Sequence, residues 1–370
     1  MPTQDLPNEG PDLESKSLSP LQLAVHRLVR NPTAMGGLGV LCVLYLLALF
    51  ADFFSVRDPL KSDLYSPYHP PNWVHVFDEE GTFHWPPFVY EMECTDLDEL
   101  HYEPILDKKH PVKFFAEGYS YRIWFLFETT RHFMVVKKPG ELHPLGCDEL
   151  GRDVWSRLLA GGQVSLSVGL LGILITLTLG TFVGGIAGYF GGWTDTILMR
   201  YVELILSIPG LYLILALRSM FPTRLTSVQV YILIVVILGF IFWAGLSRVI
   251  RGQVLSLRER EHVLAARALG ASHLRVLIRH VLPGTFTYLI VTATIMVPGY
   301  ILGEVSLSFL GVGIEEPSAS WGLMLREAQD VQVLEDQKWI LSSGIAIFIT
   351  VFAFNFLGDG LRDAFDPKKD

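Results

Sequence analysis

Few residues in this chain have chemistry to offer. Asp148, Arg152, Asp153 and Arg157 place opposite charges about one helical turn apart. At that spacing on a helix surface they pair, each pair contributing roughly 0.3–0.5 kcal/mol when exposed. Glu304 stands inside an otherwise apolar run, where an ionisable side chain is costly and faces either a cavity or a partner. A place on an internal pathway or gate and a structural hydrogen bond both fit it. A proton relay would need several such groups, and Glu304 is nearly alone. His75, His84, His101 and His110 are irregularly spaced, with no H-x-x-H or C-x-x-C pair, and read as surface histidines rather than a metal site. Cys94 and Cys147 share one polar segment; in an oxidising compartment they either bond to each other or remain two free thiols. No G-x-x-x-x-G-K-[ST] loop is present, and no G-x-S-x-G or H-E-x-x-H constellation. The sequence therefore carries no catalytic residues and no nucleotide cradle of that type. It does not read as an enzyme.

The elements that position these residues are mostly apolar. The 370 residues are 50% hydrophobic and 18% charged, with a mean hydropathy of +0.38. No soluble domain of this size needs so much apolar surface, so the chain reads as a polytopic membrane protein. Its formal charge of −9 argues against a nucleic-acid partner. Six apolar runs are long enough to span: about 35–54, 164–190, 197–220, 228–250, 286–310 and 339–357. Basic residues before the first, Arg27 and Arg30, set the N-terminus inside. Residues 1–34 then form a cytoplasmic tail, 55–162 an extracytoplasmic segment, 163–358 the core of spans, and 359–370 a cytoplasmic C-terminal tail. The extracytoplasmic segment is too long and too rich in Trp, Phe and Tyr for a linker, and is expected to be a small subdomain with strand content, as in Tyr119–Phe127. In the second run Gly180, Gly184 and Gly188 recur every fourth residue, a stripe that lets another helix approach closely. Pro209 and Pro298 are candidate kinks.

One polar stretch separates the later spans, from Arg258 to Pro283. It reads as two short amphipathic helices. Glu261, Val263, Ala265, Ala266 and Arg267 belong to the first. Gly270 breaks the run, because glycine takes a left-handed turn without steric cost. Ala271 and Ser272 follow, with Ser272 placed to cap the second helix. Leu274, Leu277, Ile278 and Val281 then recur at helical spacing, and Pro283 closes it. Five arginines make the stretch basic and place it inside.

This stretch resembles the EAA loop of ABC-importer permeases: Ala265, Ala266, Gly270, Leu282 and Pro283 fall in register, while Leu264 and His280 stand where that family often has Glu and Ile. His143–Arg157 (with Asp148, Gly151, Arg152 and Asp153), Ser207-Ile-Pro-Gly-Leu, Leu307–Gly313, Pro317–Gly322 and Gly358–Asp363 are similar to stretches of the C-type subunits of dipeptide/oligopeptide/nickel permeases. The resemblance implies an all-α polytopic fold with six transmembrane helices and a small insertion between the first two. It also implies a pore-forming subunit of an ATP-driven, binding-protein-dependent importer in the inner membrane of a bacterium, with both termini cytoplasmic. Its implied partners are a homologous permease subunit, two cytoplasmic P-loop ATPase subunits that bind the ATP and Mg, an extracytoplasmic solute-binding protein, and membrane lipid. No cofactor is expected in the chain itself. Di- or oligopeptides are the modal cargo; nickel, oligosaccharides and opines are alternatives. Asp148, Arg152, Asp153 and Arg157 then brace the external side or dock the binding protein. A different class, a secondary transporter driven by an ion gradient, would show inverted repeats and several intramembrane charges, which the sequence lacks.

Overall fold

The computed structural model describes residues 20–96, 100–123, 127–220, 222 and 225–366. The expected tails at 1–19 and 367–370, and the middle of the expected strand at 124–126, lie outside the described residues. Helix α1 (Pro20–Arg30) precedes α2 (Pro32–Leu49), which begins where Asn31 accepts from the backbone of Thr33 at 3.1 Å and Ala34 at 3.2 Å and Pro32 sits at the first helical turn. The segment before the first span is thus not all tail: Ala24 of α1 is buried, and Arg27 donates to the carbonyl oxygen of Asp366 at 3.1 Å. The first span also ends sooner than its apolar run, at Leu49, with a separate short helix α3 (Ala51–Phe54).

Between α3 and the next helix lies a four-stranded antiparallel sheet in sequence order: β1 (His75–Phe77), β2 (Phe83–Asp96), β3 (His101–Ile123) and β4 (Phe127–Val136). Its register sets Phe88 opposite Pro111 and Phe114 opposite Met134. Val89, Val112 and Leu142 form its small core. The sheet is tied to α3 through His132, whose Nδ1 lies 2.7 Å from the carbonyl oxygen of Asp52.

Helix α4 (Val154–Phe190) has 37 residues, about 55 Å at 1.5 Å per residue, against a hydrocarbon core of about 30 Å. It starts well before the boundary expected at 162, because Asp153 caps it: the carboxylate accepts from Ser156 N at 2.7 Å. Ser156, Arg157 and Gln163 interrupt the apolar pattern of its first turns, so the continuous apolar run alone does not reveal them. Helices α5 (Gly192–Ser207) and α6 (Gly210–Ser219) meet at 88° across Ile208 and Pro209. The expected kink at Pro209 is therefore a right-angle break. Helix α7 (Ser227–Leu257) begins in a capping box of Thr226 and Gln229. Helices α8 (Glu261–Ala268) and α9 (His273–Val276) lead into α10 (Phe286–Phe309), followed by α11 (Trp321–Arg326), α12 (Val331–Asp336) and α13 (Ser342–Phe365). Helix α10 runs on through Pro298, which is buried within it. Helix α13 extends to Phe365, past the expected start of a tail at 359. Among the described residues, five helices or continuous helical runs are long and apolar enough to cross a membrane, or six if α5 and α6 count as one broken span.

Glycine builds the core of this bundle. A Cβ on Gly180 would lie 2.8 Å from Leu246, one on Gly188 would lie 2.7 Å from the Arg251 carbonyl, and one on Gly184 would collide with the Ser247 carbonyl. The glycine stripe thus seats α4 directly on the backbone of α7. On the other side of α4, Tyr300 of α10 fills the space over Gly172 and donates to Thr176, whose hydroxyl donates to the Gly239 carbonyl of α7 at 3.1 Å. Three helices are held by one buried chain of hydrogen bonds. Every polar atom in it has a partner, as a water-free interior requires.

Candidate functional sites at the two ends of the bundle

At one end, Val263 and Ala266 of α8 are buried against Ile250, Val254, Leu277 and Val281. Gly270 has φ +83 and ends α8 in a two-bond cap: Gly270 N donates to Arg267 O at 2.9 Å and Ala271 N to Ala266 O at 3.2 Å. This is a Schellman motif, which accounts for the glycine. Arg267 lays its guanidinium over the ring of buried Tyr189, 4.8 Å from the centroid. The Tyr189 hydroxyl lies 3.3 Å from His273 Nδ1. The outward face carries Glu261, Leu264, Ala265, Ala268 and Leu269, with Leu269 88% and Leu274 64% exposed.

The second half of the loop differs from its expected form. Ser272 stands at the cap position of α9, but its side chain makes no capping bond. After Val276 the chain makes a π turn (Leu277–Val281), which includes His280, then a 3-10 turn (Leu282–Thr285), and enters α10 without a break. Pro283 therefore does not close the helix. It sits in the first turn of the 3-10 segment, where its missing N–H costs nothing. Leu282 packs beside Gly185 of α4. The consequence is mechanical: from His273 to Phe309 the loop and the span are one helical path.

The sequence did not single out the residues that clamp this end. Arg258 donates to the carbonyl oxygen of Gly188, and Arg251 makes two hydrogen bonds to Asp195 in the first turn of α5. An arginine at the C-terminal turn of α4 and an aspartate at the N-terminal turn of α5 each match the local helix dipole.

At the opposite end, beside the sheet, Asp148, Arg152, Asp153 and Arg157 are all buried. They are not exposed pairs on a surface helix. Asp148 lies in the turn before α4 and accepts from Arg152 Nε at 2.7 Å, with Arg157 Nε at 3.3 Å. Arg152 also donates to both carboxylate oxygens of Glu316, and Arg157 Nη2 donates to Glu316 at 3.2 Å. The charges thus tie the start of α4 to the segment between α10 and α11. Gly151 has φ +66 and no room for a Cβ, which would collide with the Asp63 carbonyl. Asp153 points elsewhere, capping α4 and facing His143 Nδ1 at 3.1 Å. Burial pulls the His143 imidazole down, but its bonds to Asp153, Cys147 and Glu141 outweigh that and hold it well above the usual histidine range.

The cysteines are free thiols. Cys147 is buried 3.2 Å from His143 Nδ1, and Cys94 on β2 donates to the carbonyl oxygen of Asp96 at 3.3 Å. The two sulfurs are not bonded to each other in this structure. His75, His84, His101 and His110 are dispersed along β1, β2 and β3; His84 pairs with Asp78 and His110 with Glu91.

Glu304 is fully buried in α10. Ser165 of α4 donates to it at 2.8 Å and Ser308 at 2.7 Å. Each serine in turn accepts from a backbone amide of the following segment, Trp321 N at 3.2 Å and Ile314 N at 3.1 Å. The carboxylate gathers α4, α10 and that segment at one point. A groove of about 730 Å³ opens nearby between α2, α3, α4 and the start of α7, lined by Tyr45, Leu49, Phe53, Val164, Leu170 and Tyr231 among others. Glu304 does not line it. Of the residues that fix these two ends, Glu316, Ser165 and Tyr189 carried no motif signal in the sequence; all of them act across long chain separations.

Residues 180–370 match the family described as binding-protein-dependent transport system inner membrane component, and residues 19–71 match the N-terminal TM domain of oligopeptide transport permease C. The chain is 32% identical over 366 residues to the dipeptide transport system permease protein of Bacillus subtilis, covering 99% of this chain and 91% of that one. It is 40% identical over 227 residues to the oligopeptide transport system permease protein of Haemophilus influenzae, covering 61% and 70%. Against a putative peptide permease protein of Brucella ovis it is 42% identical over 233 residues, covering 63% and 75%. A solved amino acid ABC transporter aligns with a TM-score of 0.40 at 16% identity over 56% of this chain and 94% of that one. The chain belongs to the binding-protein-dependent transport system inner membrane components, as a permease subunit of the dipeptide/oligopeptide permease branch.

Proposed function

We propose that this permease subunit forms half of the pore of an ATP-driven peptide importer, and that the loop from Arg258 to Pro283 receives the motion of a cytoplasmic ATPase. One observation carries the reading: α8 buries Val263 and Ala266 in the bundle while leaving Leu264, Ala265 and Leu269 exposed at its tip. Apolar side chains held outward on a basic loop suit a protein partner, because a patch of this kind is costly to leave in water.

In this reading the loop end is cytoplasmic, as its arginines favour, and the sheet end faces the solute-binding protein. Both termini lie inside. The ATP and Mg belong to two separate ATPase subunits, and a homologous permease subunit completes the pore. ATPase closure pushes on α8, and the unbroken path from His273 into α10 carries the displacement into the spans. Alternating access follows if the two packings of the spans are differently stabilised by the ATPases. Glu261, Ala265, Arg267, Gly270, Ala271, Ser272, His280, Leu282 and Pro283 form the coupling element, while Pro209, at the right-angle break, is a gate candidate. Pro298 and Glu304 are braces within α10. Di- or oligopeptide cargo is supported by the names of the relatives, which are dipeptide, oligopeptide and glutathione permeases.

The test is purification of the tagged chain from mild detergent with its neighbours. Co-purification of a P-loop ATPase whose activity rises with a peptide-loaded binding protein supports the reading. A chain that purifies without any ATPase, in vesicles where uptake follows an ion gradient, would overturn it.

A further inference from the structure

A buried cavity of about 10 Å³ lies between the start of α4 and the segment after α11, lined by Asp148, Val154, Arg157, Met324, Glu327 and Ile340. That is about the space one water molecule needs. Two of its lining residues present buried polar atoms with no partner among the described residues, Arg157 Nη1 and Glu327 Oε2. Opposite charges would ordinarily close on each other, yet these two do not pair. Among the described residues the one ion pair of Glu327 is with Arg152, at 4.0 Å. The groups facing it are mixed in sign: Arg152 and Arg157 on one side, Asp148 and Glu149 on the other, with Tyr68 and Asp330 also near. Both arginines are already engaged by Asp148 and Glu316. A further anion at Glu327 is therefore poorly compensated, and burying it is costly.

We propose that Glu327 is a proton-binding site that latches the segment after α11 onto the start of α4. With a proton bound, the carboxyl is neutral and needs no counter-charge, and a water in the cavity can accept from Arg157 Nη1 and donate to the Glu327 carboxyl, so the packed arrangement is favoured. Loss of the proton to solvent leaves an uncompensated carboxylate, which favours release of the segment toward water. The sign agrees with the electrostatics: burial, and then the charge of Asp148, push the Glu327 carboxyl up to about 7. A state that binds a proton more tightly than its alternative is stabilised by that proton and weakened as pH rises through neutrality. The proposal does not depend on the importer reading, since it concerns the packing of this chain alone.

The purified chain in nanodiscs tests it by infrared difference spectroscopy between about pH 5 and pH 9. A protonated-carboxyl band is expected to disappear with a midpoint near 7 in the wild type and to be absent in Glu327→Gln. Exposed Glu335→Gln should keep it. Hydrogen exchange of residues 321–336, corrected for its intrinsic pH dependence, should accelerate above neutrality in the wild type and stay slow in Glu327→Gln, whose amide mimics the protonated form. If the variant misfolds, the wild-type data alone decide. A wild type with no carboxyl titrating near neutrality, or with exchange independent of pH, would overturn the proposal, as would a Glu327→Gln chain that keeps the band.

Discussion

Arg258 Nη1 lies 2.9 Å from the carbonyl oxygen of Gly188 and 3.4 Å from that of Tyr189, so a side chain at the end of α7 closes the last turn of α4. Those carbonyls have no partner within their own helix and carry the negative end of its dipole. Replacing Arg258 with Ala should leave them to water and cost about 1.5–3 kcal/mol, the range for hydrogen bonds to a charged group. Arg258→Lys should recover part of the loss. Thermal unfolding of the three chains in detergent is the measurement; an unshifted Arg258→Ala midpoint would count against the clamp.

The glycine stripe makes a second prediction. At Gly184 a Cβ meets the Ser247 carbonyl, whereas at Gly245 nothing lies within 4 Å. Gly184→Ala should therefore force α4 and α7 apart, at about 1–3 kcal/mol for overpacking. Gly245→Ala should be neutral or stabilising by up to about 1 kcal/mol, because helical glycine gives way to alanine. Equal behaviour of the two variants in a melt would show that the helices do not meet as described.

These two cases also show what the sequence made legible. The stripe, the left-handed Gly270 and the apolar runs are local patterns, and local patterns survive without coordinates. The start of α4 lies ahead of the continuous apolar run, because Ser156, Arg157 and Gln163 interrupt the apolar pattern while the Asp153 cap sets where the helix begins. Pro283 was expected to end a helix, but a proline in the first turn is tolerated, and the π turn ahead of it absorbs the change of path. The networks around Glu304 and Asp148 were legible only in part: Ser165, Glu316 and Trp321 lie far along the chain from the residues they satisfy. The 311–338 loop carries six acids, Glu315, Glu316, Glu327, Asp330, Glu335 and Asp336, but only folding distinguishes Glu316, which braces two arginines, from its neighbours.

Glu304 separates a brace from a carrier. Glu304→Ala removes the acceptor of two buried hydroxyls, Ser165 and Ser308, each of which then lacks it at roughly 1–3 kcal/mol. Glu304→Gln retains one acceptor oxygen and should cost less. Uptake by Glu304→Gln, per assembled complex, should stay within about threefold of wild type. A well-folded Glu304→Gln chain with abolished uptake would make the carboxylate part of the transport path.

The thiols give a direct check of the sheet end. Without reductant, the chain should run on a gel as it does with reductant. A maleimide should label Cys94 in the native state and Cys147 only after unfolding. Cys147 is buried, and burial pushes its thiol above the usual range, so both access and reactivity are low. A reductant-dependent shift lost in Cys94→Ser would establish the bond that the structure leaves unmade.

The most direct test of the whole account is Leu269→Asp at the tip of α8. Leu269 is 88% exposed and makes no part of the core, so the substitution should leave the melting temperature within about 1 °C of wild type. It should nevertheless reduce recovery of the ATPase on the tagged chain at least about tenfold, roughly 1.4 kcal/mol of binding, and peptide uptake with it. Unchanged ATPase recovery and unchanged uptake in Leu269→Asp would contradict the assignment of this loop as the coupling element.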